Sequence, residues 1–170
     1  MSEVVIVEAG RSPVGKKYGS LAGAHPTDVL GQVMNGVLGR AGVATADVGQ
    51  IVGGCINKVG AQAMNVTRTA WLAHGGAEEV PCITVDSQCG SSQEATNLTY
   101  SLIGSGVEDV VLACGVENMS RLPIGSDAVA GAKAGYGKPV ARSYFDHYDF
   151  ISQFEGAERI AGVLREFGIC

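Results

Sequence analysis

The sequence has little that would suit it to nucleic acid or to a membrane. It carries 12 Lys and Arg residues against 17 Asp and Glu, a formal net charge of −5, which opposes general binding to nucleic acid or anionic lipid. No apolar run approaches the roughly 18 residues of a membrane-spanning helix, and residues 1–13 lack the basic stretch followed by an apolar one that marks a secretory signal. We therefore expect a cytoplasmic protein.

The sequence also lacks the usual cysteine motifs. None of its five cysteines forms a C-x-x-C pair, so the spacing indicates neither a zinc site nor a redox pair. In a reducing compartment these residues should remain free thiols. They are Cys55, Cys82, Cys89, Cys114 and Cys170.

Apolar residues and glycine are abundant. Of the 170 residues 46% are hydrophobic, enough to fill the core of one ordinary domain, or of one domain plus part of another. The 25 glycines fall mostly at the ends of periodic segments, where turns and helix C-caps need positive φ. The chain should fold as a globule.

Short apolar runs alternate with segments of helical periodicity. Runs typical of buried strands lie at 4–8, 51–56, 82–85 and 109–114. Helical spacing is found at 27–41, 65–73 and 93–102, and the first of these helices has Thr27 or Asp28 as its N-cap. A last helix begins at the capping box of Ser152. This alternation predicts an α/β fold, a mostly parallel sheet with helices on both faces. Residues 121–150 lack sustained periodicity, and we interpret them as an excursion or linker.

Cys89 lies where the strand at 82–85 turns into the next helix. A side chain there projects at the mouth of the sheet, and a helix N-terminus favours the nucleophilic thiolate form of a cysteine. Gly90, Ser91 and Ser92 leave room for an acyl group, and backbone N–H groups at such a turn could stabilise an oxyanion. The alternative is that Cys89 is a small buried hydrophobe, as free cysteines usually are. That structural interpretation is the preferred one for three cysteines in or beside predicted strands, Cys55, Cys82 and Cys114.

A cysteine nucleophile normally needs a base, and the sequence offers no obvious one. Each of the three histidines lies at a loop or helix end without a motif. A solvated or capping role is therefore the better interpretation for them. They are His25, His74 and His147.

Four segments, taken in order along the chain, match a known family. They are R-S-P-V-G-K at 11–16, the Q-x-x-N-x-x-R set of Gln62, Asn65 and Arg68, S-Q-C-G-S-S at 87–92, and G-V-E-N-M-S at 115–120. Together they resemble the N-terminal half of the thiolases, the acetyl-CoA acetyltransferases and acyl-CoA thiolases. The helix at 153–161 resembles that of bacterial thiolases acting on lipid or steroid side chains.

The resemblance implies an acyltransferase in which Cys89 takes up an acyl group as a thioester. The group would pass to coenzyme A, or to the α-carbon of acetyl-CoA in the condensing direction, in fatty-acid, lipid or steroid side-chain degradation. Coenzyme A and acyl-CoA are then substrates, and no covalently bound cofactor or metal is expected. The CoA phosphates would need cations, and the candidates are Lys133, Lys138 and Arg142. The alternative is that these three residues belong to a solvated loop.

The resemblance also places part of the catalytic site outside these residues. In the family a histidine in a Gly-His-Pro motif activates the nucleophile and a second cysteine in a Cys-Gly-Gly motif moves the α-proton, both in the C-terminal half. Neither motif occurs here. His25, in Ala-His-Pro, corresponds to the start of the family's first helix and does not take that role. The isolated chain is expected to be inactive alone.

The domain organisation follows from the same resemblance. Residues 1–120 would form the N-terminal α/β domain, and 121–170 the beginning of the loop domain that binds CoA and substrate. Half a thiolase exposes apolar surface, so we expect a homodimer or tetramer, or a companion chain supplying the C-terminal half. No nucleic-acid or membrane partner is expected.

One departure and two alternatives remain. Ser92 stands where the family usually has glycine, which adds a hydroxymethyl group beside the nucleophile. The chain could be another condensing enzyme of the same superfamily, although G-V-E-N-M-S favours a thiolase. It could also be a non-catalytic thiolase-like scaffold or subunit, because it has no recognisable base.

Overall fold

The computed structural model describes residues 3–169. They form two compact units, divided between Ala130 and Gly131. None of the helices described combines the length and apolar character that crossing a membrane requires. The expected functional boundary at residue 120 stays a prediction.

The first unit alternates helices and strands. Its main elements are α1 (Pro26–Ala41), β1 (Gln50–Gly54), α2 (Val66–Ala73), β2 (Cys82–Val85), α3 (Ser91–Gly104) and β3 (Val111–Gly115), with short 3-10 helices at Thr45–Asp47 and Gly60–Gln62. The three strands form one parallel sheet in the order β2-β1-β3. In its register Ile51 pairs with Cys82 on one side and with Leu112 on the other. The predicted α/β class is confirmed.

Helices cover both faces of this sheet. A Cβ added to Gly53 would meet the side chain of Thr67 in α2, whereas a Cβ added to Gly54 would meet the backbone of Ser91 and Ser92 in α3. Because successive strand residues point to opposite faces, α2 and α3 lie on opposite sides of β1. The main buried cluster joins α1, α2 and the sheet, and consists of Leu30, Met34, Leu38, Val48, Ile51, Ala70, Trp71 and Val80.

The ends of α1 follow from local sequence. His25 is the N-cap, and its Nδ1 accepts a hydrogen bond from the N–H of Thr27 at 3.4 Å. Thr27 and Asp28, the predicted caps, therefore lie inside the helix. Pro26 occupies the first turn, where a missing N–H is tolerated. Gly42 ends the helix in the left-handed conformation, at a φ of 67°, as expected.

The predicted strand at 4–8 is wrong. Residues 3–10 pair with no strand in the part of the chain that the structure describes, and Ile6 is 84% exposed. The segment is held instead at the end of α1, where Arg40 Nε lies 3.3 Å from Glu8 Oε2. An apolar run favours burial, but a strand also needs a hydrogen-bonding neighbour, and residues 3–169 supply none.

The remaining elements are α4 (Ser126–Lys133), which contains the division between the units, a 3-10 helix at Arg142–Asp146 and α5 (Gln153–Glu166). The helix α5 begins as predicted, since Ser152 Oγ accepts from the Glu155 N–H at 3.1 Å. The interpretation of 121–150 as irregular missed α4. This helix is short and made largely of small residues, so it has no apolar stripe from which periodicity could be detected.

Candidate functional site

Cys89 lies in the turn that connects β2 to α3. The helix begins at Ser91, two residues earlier than predicted, and Gly90 is its N-cap. Cys89 therefore immediately precedes the cap of the helix. The residue is exposed, so its thiol is not sealed in the core.

Cys89 contributes to a cavity of about 240 Å³. Its walls are formed by residues that follow β1, by the turn after β2, and by residues that follow β3, including Cys55 and Glu117. The carboxyl ends of parallel strands meet at one edge of the sheet, which is where α/β proteins commonly bind ligands. The arrangement is that of a small open site with a thiol in its wall.

The backbone before Cys89 has an unusual conformation. Gln88 has a φ of 49°, in the left-handed region that residues other than glycine seldom adopt. Its N–H donates to Asp86 Oδ1 at 2.9 Å, and its C=O accepts from the N–H of Ser91 at 3.0 Å. The turn is therefore defined by hydrogen bonds on both sides of Cys89.

Two glycines let α3 approach the sheet closely. A Cβ on Gly54 would come within 2.6 Å of the Ser92 nitrogen, and a Cβ on Gly115 would overlap Ser92 Oγ. The hydroxymethyl group of Ser92, the departure from the family pattern, is thus accommodated because Gly115 has no side chain. Close packing here sets the position of the helix start and of the Cys89 turn before it.

Glu117 of the G-V-E-N-M-S segment joins the loops after β1 and β3. Its carboxylate accepts hydrogen bonds from the Ile56 N–H at 2.9 Å, from Gln62 Nε2 at 2.7 Å and from Asn57 Nδ2 at 3.2 Å. Gln62 also accepts from the Asn118 N–H at 2.8 Å through its Oε1. The Glu117 carboxylate therefore connects the loops that form one wall of the Cys89 cavity.

The other polar residues of the Q-x-x-N-x-x-R set support β2. Asn65 caps α2 by accepting from the Arg68 N–H at 3.1 Å, and its Nδ2 donates to the Cys82 C=O at 2.8 Å. The Arg68 guanidinium donates to the C=O of Glu78 at 2.7 Å and of Val80 at 2.5 Å. These side chains bind backbone and do not line the cavity of Cys89.

The other described cysteines have the character of structural thiols. Burial, and after it the neighbouring Glu117 charge, raises the pKa of Cys55 to about 12. Burial also raises the pKa of Cys114 to about 12 and raises the pKa of Cys82. All three stay protonated at neutral pH. Cys55 nevertheless faces the same cavity as Cys89, which the sequence did not indicate. Cys170 lies outside the described residues.

Within the described residues, the structure brings no histidine, lysine or arginine to the Cys89 cavity, and the one carboxylate there, Glu117, is hydrogen-bonded to the loop after β1. His25 caps α1, and His74 Nε2 lies 3.4 Å from Asp28 Oδ1. His147 lines a separate cavity of about 470 Å³ in the second unit. Across residues 3–169 no cluster of His, Cys, Asp and Glu is arranged to hold a metal ion.

The candidate phosphate contacts lie in the second unit. Lys133 is the last residue of α4, and Arg142 is the first residue of the 3-10 helix. Lys138 comes directly before Pro139, which lines the 470 Å³ cavity. All three side chains are exposed. Their role in binding CoA stays a prediction.

The fold and the site together define an α/β protein that presents a cysteine between a parallel strand and the helix after it. The family described as "Thiolase, N-terminal domain" matches residues 4–155. The chain therefore belongs to the thiolase family, as its motifs indicated.

Individual relatives agree with this membership. The chain is 42% identical to the steroid 3-ketoacyl-CoA thiolase FadA6 of Mycobacterium tuberculosis over 165 residues, which are 95% of the chain and 40% of the relative. It is 32% identical to a probable acetyl-CoA acetyltransferase of Escherichia coli over 99% of the chain and 43% of the relative. A beta-ketoadipyl-CoA thiolase of Pseudomonas putida is 32% identical over 81% of the chain and 34% of the relative. The chain thus spans less than half the length of these relatives.

Proposed function

We propose that this chain supplies the acyl-accepting cysteine of a thiolase. Cys89 would take an acyl group from an acyl-CoA as a thioester and pass it to coenzyme A, or to the α-carbon of acetyl-CoA. The observation that carries the proposal is the exposed Cys89 in the turn before α3, at a cavity on the carboxyl edge of the sheet.

The local geometry supports the acylation step. The Cys89 sulfur bonds to the thioester carbonyl carbon, the bond from that carbon to the CoA sulfur breaks, and the thiol proton moves through a base to the departing CoA. The N-terminus of α3 presents N–H groups without intrahelical acceptors and the positive end of the helix dipole. Such groups stabilise negative charge that develops on sulfur or on the carbonyl oxygen.

The base would come from outside these residues. No basic side chain lines the Cys89 cavity in the described part of the chain, so we propose that the chain alone accepts one acyl group slowly and does not turn over. A homodimer or tetramer of a longer protein, or a companion chain, would complete the site. Exposed apolar side chains such as Phe154 and Ile160 on α5, and Phe167 at its C-cap, support association.

The proposed substrates are 3-ketoacyl-CoA or acetyl-CoA thioesters of fatty-acid, lipid or steroid side-chain degradation. Support comes from the relatives, one of which is named a steroid 3-ketoacyl-CoA thiolase.

The CoA phosphates would be bound by Lys133, Lys138 and Arg142, because a chain of net charge −5 needs local cations for an anionic ligand. Replacing Lys138 and Arg142 with Ala should abolish CoA binding in calorimetry, whereas replacing the exposed Lys17 and Arg11 should not.

The deciding experiment is intact-mass detection of an acyl adduct after incubation with acetyl-CoA or a longer acyl-CoA. The adduct should be located on Cys89 by peptide mapping, be absent from Cys89→Ala, and persist in Cys82→Ala. An adduct on another cysteine, or none at all, would contradict the proposal. Full turnover by the isolated chain would contradict the statement that the base lies elsewhere.

A non-catalytic thiolase-like subunit is the second candidate, favoured by the lack of a basic side chain around Cys89 among the described residues. Such a subunit would show neither an acyl adduct nor rapid alkylation of Cys89 by iodoacetamide. Another condensing enzyme of the superfamily is disfavoured by the match to the thiolase N-terminal domain.

A further inference from the structure

Ser91 is a buried polar residue in direct contact with the Cys89 turn. It is only 4% exposed. Its Oγ accepts a hydrogen bond from the Ser87 N–H at 2.9 Å and donates one to the Gln88 C=O at 2.5 Å. One hydroxyl therefore satisfies a donor and an acceptor of the two residues that come before Cys89.

These bonds close the turn around the thiol. Ser87 and Gln88 precede Cys89, while Ser91 begins α3 after it, so the hydroxyl ties the incoming chain to the helix across Cys89 and Gly90. Gln88 has the left-handed φ of 49°. A residue other than glycine persists there only where its surroundings hold it, and the Ser91 hydroxyl is bonded to its carbonyl.

We propose that Ser91 is a positioning residue whose hydroxyl holds the Cys89 thiol in its reactive placement at the start of α3. Its importance for acyl transfer rests on the proposed function, but its effect on the thiol does not. Removal of the hydroxyl leaves the Ser87 N–H without this acceptor, while the Gln88 C=O loses one of its two donors and keeps the Ser91 N–H. The turn can then relax away from the left-handed conformation, which moves Cys89 relative to the helix N-terminus.

Ser101 offers a control on the same helix. It is exposed, its Oγ donates to the Asn97 C=O at 2.9 Å, and it does not line the Cys89 cavity. Ser91→Ala and Ser101→Ala thus each remove a hydroxyl that is bonded to a backbone carbonyl, but only the Ser91 hydroxyl is bonded to the Cys89 turn.

The experiment measures alkylation of Cys89 by iodoacetamide in the full chain, with Cys82 as the internal reference in the same peptide map. Ser91→Ala should slow Cys89 about tenfold, and Ser101→Ala should change it by less than about twofold. Cys82 should react equally slowly in both variants. Equal Cys89 rates in S91A and S101A would overturn the proposal. Slow Cys89 alkylation in S91A that comes with rapid Cys82 alkylation would also overturn it.

Two readouts separate positioning from general stability. Ser91→Thr keeps the hydroxyl and should restore the Cys89 rate, although it adds a buried methyl group. Hydrogen exchange followed by NMR should show faster exchange of the Ser87 N–H in S91A while the amides of α3 keep their protection. A folded S91T as slow as S91A, or an unchanged Ser87 N–H, would refute the role.

If S91A does not fold, the near-isosteric pair Ser91→Thr and Ser91→Val takes its place. Iodoacetamide should alkylate Cys89 faster in the Thr variant than in the Val variant. Equal rates in these two variants would overturn the proposal. The outcome is distinguishable from failure of the proposed function, which is tested by acyl transfer to the unaltered chain and not by alkylation.

Discussion

Gln62 Nε2 donates a hydrogen bond of 2.7 Å to the Glu117 carboxylate, joining two residues that are 55 positions apart in the chain. Gln62 is fully buried. The bond connects the 3-10 helix after β1 to the segment after β3, and Glu117 lines the Cys89 cavity together with Cys55 and Ile56. The G-V-E-N-M-S segment that favours a thiolase is therefore part of the support for the site.

Replacement of Glu117 by Ala should lower the free energy of unfolding by about 3 kcal/mol, because the Ile56 N–H and the Gln62 and Asn57 amides lose a charged acceptor. Urea denaturation measures this change. Glu79→Ala is the matched control, since Glu79 is exposed, and its effect should stay within about 0.5 kcal/mol. Similar midpoints for the two variants would show that the carboxylate is dispensable.

Gly54→Ala should destabilise the fold and also slow Cys89. The added Cβ would meet the backbone of Ser91 and Ser92, which cannot rotate away as a side chain can. We expect a loss of about 2 kcal/mol or more, with reduced alkylation of Cys89. Gly39→Ala makes the same change within α1, where nothing lies within 4 Å of the added Cβ, and should stabilise by about 0.5 to 1 kcal/mol. Equal melting temperatures would argue against close packing at the helix start.

Asn65→Ala should destabilise the junction of α2 and β2 by about 2 kcal/mol, because it removes the helix cap and the bond to the Cys82 C=O. Thr84 Oγ1, which donates to Asn65 Oδ1 at 2.7 Å, would lose its acceptor as well. Asn97→Ala on the exposed face of α3 provides the comparison and should be close to neutral in thermal denaturation. A larger loss for Asn97→Ala would contradict the assignment of Asn65 as a structural anchor.

The Cys114 thiol should make the protein less stable at alkaline pH. Its folded pKa is raised to about 12 by burial, whereas an unfolded cysteine titrates near about 8.5. Between these values the unfolded chain has lost a proton that the folded chain retains, so the stability falls as the pH rises, by up to about 1.4 kcal/mol per pH unit.

Urea denaturation of the wild type and of Cys114→Ala at several pH values between about 9 and 11 measures this contribution. The wild type should lose stability more steeply than the variant, because titration of Lys and Tyr is common to both. Parallel pH dependences would mean that the thiol is not protected from ionisation in the folded state.

Sequence alone determined the helices and strands whose signals are local. The apolar stripe and Gly42 determine α1, Ser152 starts α5, and the run at 82–85 followed by small residues places Cys89 at a turn. Each of these depends on neighbours within a few residues, where periodicity and capping act. The strand predicted at 4–8 failed because strand formation depends on a partner elsewhere in the chain.

Only the tertiary structure decided what surrounds Cys89. The parallel register brings the ends of β1 and β3 beside the turn, and with them Cys55 and Glu117. The same packing requires Gly54 and Gly115 to lack side chains against α3. Such proximities arise from contacts between residues far apart in the chain, which local propensity does not encode. The position of the thiol in the chain is therefore a property of sequence, and its surroundings are a property of the fold.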